Sequence, residues 1–231
     1  MEFTDALKAA NWQGTFQLEL RCDAVVALSD EALAALIAVG CRQINMGIEK
    51  AHLAQLQQFR KRLSPDIARE ACERLASTTI RAAGTFILGG PNERQDDVEA
   101  TINFAASLPL DFAHFNPLAV YPGTALYTEI FGEADRSWLD LCLDPEISPH
   151  GDILWRSPEL PLTTILDSIA KAYRVFYTRE RLARVLSKVP KIEQEVVKSA
   201  YKVLVEDRAR SWITEDLGYS ASQENMFSSS C

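Results

Sequence analysis

The strongest constraint in this sequence is a rhythm: four apolar or alternating runs, the first three each followed by a segment that reads as a helix. Residues 15–21, TFQLELR, alternate apolar and polar side chains at period two, the pattern of a strand. The next stretch, SDEALAALIAVG, has Ser29 placed to cap a helix, Asp30 and Glu31 in its first turn and Gly40 at its end. QINMGIE is a second strand ending in an acid. Ser64-Pro65-Asp66 then opens a helix with proline at its first position, running to about Ser77. RAAGTFILGG reads as a buried strand entering a glycine turn, RQDDVEATINFAASL as a helix led by acids, and DFAHFNPLAVYP as the fourth strand. Alternation at this spacing predicts right-handed βαβ units and a parallel sheet.

Charge and cysteine usage narrow the function classes. Lys and Arg number 24 against 32 Asp and Glu, a net charge of −8, which argues against a broad phosphate-binding surface and against nucleic acid as a general partner. No apolar run approaches the roughly 20 residues that span a bilayer. The opening MEFTDALKAANW lacks the basic-then-apolar pattern of a secretory signal, so a cytoplasmic location is expected. Cys22, Cys41, Cys72, Cys142 and Cys231 are far apart and never form CxxC or CxxxCxxC. They read as small buried residues or free thiols, and no sequence-local metal site can be built from them.

Four regions are expected. Residues 1–132 carry the βα units, and 133–161, with Trp138 and Trp155 placed for packing, form an irregular connecting segment. Residues 162–217 form a helical extension of two stretches divided by Pro190, the first with Ile165, Ile169, Tyr173 and Phe176 as an amphipathic stripe. Residues 218–231 are a polar, serine-rich, disordered tail. In parallel sheets, function gathers at the carboxyl ends of the strands. Here those ends carry Glu19-Leu20-Arg21, Gly47-Ile48-Glu49, Gly89-Gly90-Pro91 and the segment from His114 to Tyr121.

LELRCD, INMGIEKA, GTFILGGPNE and LAVYPGTALY, in this order, resemble the last four strand ends of the radical S-adenosylmethionine (SAM) partial barrel. The flavour is the cobalamin-associated group. Leu56, Lys61 and Ser64-Pro65 fit its pattern after the second motif, and Val175-Phe176-Tyr177 fits its tail. The resemblance runs from about Thr15 to Arg184. It implies an α/β fold: an incomplete TIM-type barrel of parallel strands with a helical C-terminal extension. It also implies SAM as cofactor. Glu49 is then the ribose contact, Arg21 and Lys61 face the methionyl end, and Glu19 is another polar contact. Gly89 and Gly90 let the backbone approach the adenine, and Glu93 caps the following helix or braces the turn. Plainer alternatives stand beside these roles. Glu49 is also suited to being a solvated acid, Glu19 and Arg21 share a strand face and can pair, and Lys61 sits in the cluster Arg60-Lys61-Arg62, typical of a solvated face. Gly89-Gly90-Pro91 suits a tight turn, and His114 between apolar residues suits an interior histidine.

The sequence also departs from the family. Radical SAM chemistry uses three cysteine thiolates to hold a [4Fe–4S] cluster, whose open iron binds SAM and delivers the electron that cleaves it. The resemblance places Met1 about one helix before the family's third strand, so the cluster ligands are expected to be absent from this chain. Lys50, Arg62 and Pro91-Asn92-Glu93 stand where the family has a small residue, a glycine and a PGE element. The expected function is the SAM-binding portion of a radical SAM enzyme, inactive alone and completed by a missing amino-terminal segment or a cluster-bearing polypeptide. The alternative is a non-catalytic scaffold derived from such an enzyme. A third reading uses Glu19, Glu49 and Glu93 as acid–base carboxylates of an unrelated barrel. The open edge at 15–21 is expected to be covered by the amino-terminal helix, a second copy of the chain or another polypeptide.

Overall fold

A computed structural model describes residues 2–58, 63–132 and 159–206. Helix α1 (Glu2–Ala9) precedes strand β1 (Phe16–Glu19), α2 (Cys22–Ala27), α3 (Asp30–Ala38), β2 (Cys41–Glu49), α4 (Leu53–Gln58), α5 (Pro65–Ala76), β3 (Arg81–Leu88), α6 (Gln95–Ser107), β4 (Phe112–Pro117) and α7 (Ala125–Phe131). Helices α8 (Leu162–Phe176), α9 (Arg179–Lys188) and α10 (Gln194–Glu206) follow. The strands form one parallel sheet in the order β1-β2-β3-β4. The α/β fold with a parallel sheet and a helical C-terminal region is as expected.

Local chemistry explains the helix starts. The Ser29 hydroxyl accepts the Ala32 N–H, and the Ser64 hydroxyl accepts the Ile67 N–H ahead of Pro65. Gly40 takes φ +100° after α3, where a side chain would strike the Gly14 carbonyl. The first strand is shorter than the 15–21 expected, because Arg21 leaves the extended ladder to stand at the start of α2. Tyr177-Thr178 divides the helical extension before Pro190 does, since the Thr178 hydroxyl accepts the Arg181 N–H and starts a new helix.

Period two sorts the sheet into two faces. Ile44, Met46 and Ile48 on β2, Ala82, Phe86 and Leu88 on β3, and Ala113 and Phe115 on β4 are buried in the core with Ala71, Cys72 and Leu75 of α5 and Val98 and Ile102 of α6. The opposite face is polar and more open: Gln17, Glu19, Gln43, Asn45, Thr85, His114 and Asn116 are half-buried or exposed. Register sets Glu19 beside Asn45, Gly47 beside Thr85, and Thr85 beside His114.

Among the described residues, the outer edge of β4 is closed by side chains and not by a fifth strand. The Tyr177 hydroxyl accepts the Ala113 N–H at 3.0 Å and donates to the Ala113 carbonyl at 2.7 Å. The Tyr173 hydroxyl accepts the Phe115 N–H, and Tyr201 donates to the Asp111 carbonyl at 2.6 Å. The expected stripe Ile165, Ile169, Tyr173 and Phe176 is buried, so α8 lies over this side of the sheet. At the amino ends of the strands, buried Asp111 accepts from the Ala82 N–H and from Lys188, while the Arg181 guanidinium donates to the carbonyls of Ala106, Leu108, Leu110 and Phe176. On the far side, β1 has a strand neighbour on one flank only among the described residues, and Phe3 of α1 meets Phe16 edge to face at 5.7 Å.

Candidate functional site

The carboxyl ends of β2 and β3 hold the most constrained residues in the molecule. Glu49, the last residue of β2, has φ +71°, in the left-handed region that a glutamate rarely enters. The Lys50 N–H donates to the Ile48 carbonyl at 2.9 Å, closing a three-residue γ-turn around Glu49 of the strained, positive-φ kind. The ladder to β3 shifts register between Gly47 and Glu49, so the strand bends as it leaves the sheet. Glu49 is 7% exposed. A carboxylate on so fixed a backbone is suited to accept two hydroxyl donors at once, as a ribose diol presents them.

Lys50, the residue that closes this turn, is 1% exposed. Its Nζ lies 2.6 Å from Oε2 of Glu93, itself 1% exposed. That same carboxylate oxygen accepts the Gly90 N–H at 2.5 Å, and the Glu93 N–H donates back to the Gly90 carbonyl. Glu93 therefore braces the turn after β3, while Asp97 accepts the Arg94 N–H at the start of α6. Burial pushes the Lys50 ammonium below its ordinary value, with the Glu93 carboxylate pulling the other way. Glu93 Oε1 is buried and has no hydrogen-bond donor.

The remaining expected site residues fall in different places. Gly89 has φ +81°, and a side chain there would meet Ile165 of α8 at 2.8 Å, so the room it leaves is taken by the helical extension. Glu19 is exposed on the polar face. Arg21 pairs with Asp23, Nε to Oδ1 at 2.9 Å and Nη2 to Oδ2 at 2.7 Å, and not with Glu19 as its strand position suggested. That contact raises the Arg21 value and lowers that of Asp23. Lys61 lies outside the described residues, as do Trp138, Trp155, Cys142 and Cys231. His114 is half-buried. In the sequence Lys50 stands out only as a departure from a family motif, with no role implied. The available signal was a lysine directly after the apolar run of β2, where a buried ammonium requires a buried partner.

Cys22, Cys41 and Cys72 are buried and outside any disulfide, and no three His, Cys, Asp or Glu side chains gather to hold a metal among the described residues. The described residues thus do not fit a [4Fe–4S] cluster. Among them no helix is long and apolar enough to cross a membrane.

No family model matches the chain. Over 88 residues it is 38% identical to an uncharacterized methyltransferase of Pyrococcus horikoshii, a match covering 38% of this chain and 19% of that protein. Over 149 residues it is 24% identical to the anaerobic magnesium-protoporphyrin IX monomethyl ester cyclase of Cereibacter sphaeroides, covering 62% of this chain and 22% of the cyclase. Among solved structures it is similar to the radical SAM methyltransferase TsrM of Kitasatospora setae with tryptophan and a SAM analogue bound. There the TM-score is 0.56 and the identity 15%, over 94% of this chain and 49% of TsrM. The same enzyme with cobalamin and a [4Fe–4S] cluster gives a TM-score of 0.52.

The chain is therefore an α/β protein with the fold of part of the radical SAM barrel, the class to which its motifs pointed. It matches about a fifth of the length of the two sequence relatives and about half of TsrM.

Proposed function

We propose that this chain forms the SAM-binding wall of a radical SAM enzyme, with the cluster ligands supplied by another polypeptide or another part of the same protein. Bound SAM would bring the methyl-transfer or radical chemistry of that class. This chain's own contribution is to grip the nucleoside. The observation that carries the reading is Glu49: a nearly buried carboxylate in a strained turn at a strand's carboxyl end, where parallel sheets bind ligands. TsrM, which shares the fold, was solved with a SAM analogue. Glu19 on the open polar face, Arg21, Lys61 and the Gly89-Gly90 turn are the further proposed contacts.

Two observations favour a second reading, a non-catalytic scaffold derived from such an enzyme. Arg21 is already bidentate with Asp23, and the space beside Gly89 is filled by Ile165. Calorimetric titration of the purified chain with SAM separates the two. Saturable binding that weakens at least tenfold in Glu49→Ala is the expected result for a working wall. Absence of binding by the unaltered chain would refute a SAM site complete in this chain and leave the scaffold or a site that forms only with strands from elsewhere.

A further inference from the structure

We infer that the Lys50–Glu93 ion pair is a positioning device that locks Glu49 into its strained turn and so fixes where the Glu49 carboxylate is presented. The inference deepens the reading of Glu49 as the ligand contact and rests on it for its functional meaning.

A glutamate at φ +71° inside an i to i+2 hydrogen bond is held against its own preference. Such a backbone persists only where the surroundings over-determine it. What surrounds Glu49 is a set of ties on the residues just after it. Lys50, buried just past the end of β2, is held at 2.6 Å by Glu93 from the loop after β3. Glu93 is itself fixed, since Oε2 takes the Gly90 N–H and its own N–H returns to the Gly90 carbonyl. The Ala51 N–H faces the Thr101 hydroxyl of α6 at 3.4 Å, and Thr101 is wholly buried. The end of β2 is thus tied to the turn after β3 and to the helix beyond it, with Glu49 as the residue that must bend to let both ties form.

Energetics points the same way. A buried ion pair gains little over apolar residues of equal size, because desolvation offsets the attraction, while removing one partner is costly. Two charged residues at 1% exposure are a poor device for stability alone, and they supply a fixed geometry that apolar packing does not. Apolar replacement would fill the space and let the turn relax.

The test is a double-mutant cycle that needs no ligand. Glycine adopts positive φ without strain, so Glu49→Gly is expected to raise the melting temperature of the otherwise unaltered chain by a few degrees. In the paired background Lys50→Met/Glu93→Gln the turn can relax, and Glu49→Gly should then give no rise or a fall. Equal shifts in both backgrounds would overturn the proposal. If the paired variant does not fold, Glu93→Gln alone keeps size and an acceptor for Gly90. Hydrogen exchange at the Lys50 amide should then quicken at least tenfold relative to the Ile44 amide, and unchanged protection would overturn the proposal. SAM titration of the same variants reads the functional arm, with at least a tenfold loss of affinity expected when the pair is removed and Glu49 kept. If the unaltered chain binds no SAM, the reading of a SAM site complete in this chain fails. The stability cycle still decides whether the pair positions Glu49.

Discussion

Gly89 shows how one residue type can satisfy two explanations. A glycine after a strand suits close approach by a flat ligand, and it equally suits a turn with positive φ. Here it has φ +81°, and its open side faces Ile165 of α8 at a distance no side chain tolerates. Gly89→Ala is therefore expected to cost about 2 kcal/mol through left-handed strain and overpacking together. Urea denaturation of the ligand-free chain would measure the loss. Gly89→Ala/Ile165→Ala should recover the overpacking part and leave the backbone part. A loss below about 0.5 kcal/mol, the range of an ordinary surface substitution, would return Gly89 to the ligand reading.

Among elements, the helices of the βα units were legible because their signals are local. Ser29 and Ser64 sit one residue before the helices they cap, and the stripe from Ile165 to Phe176 repeats at helical spacing. What escaped the sequence acts at a distance. Nothing near Tyr177 announces that its hydroxyl bonds both backbone groups of Ala113, and nothing near Lys50 names Glu93 as its partner. Arg21 was read as part of a strand because alternation continues through it, but its side chain turns to Asp23. The site was half legible for the same reason: strand ends were readable, and the ties between them were not. The edge contacts carry a prediction. Tyr177→Phe leaves a buried N–H and a buried carbonyl without their partner, so it should destabilise the protein by about 2–4 kcal/mol. Chemical denaturation would show this.

At the scale of the whole molecule, the buried acids set an alkaline limit. Burial raises Tyr177 and Tyr201 above their ordinary value, and pushes the Cys72 thiol up to about 12. The folded chain keeps protons that the unfolded chain releases from about pH 9 upward, so stability is full below that point and falls as pH rises through it. Lys50 works in the opposite sense, since its folded value is lowered, and offsets one part of the loss. Melting temperatures measured from pH 8 to 10.5 should decline beyond about pH 9, less steeply in Tyr177→Phe. A flat profile to pH 10.5 would contradict the assignment.

The tyrosine-sealed flank of β4 gives the sheet a direction of growth. A ladder can lengthen only where its outermost rungs are still open, and on β4 the outward groups of Asp111, Ala113 and Phe115 are already answered by hydroxyls from α8, the residue after it and α10. Among the described residues, a strand added to this sheet would pair alongside β1, where Gln17 and Glu19 are exposed. The sheet is thus stopped at one flank, like a zip whose far end is already closed.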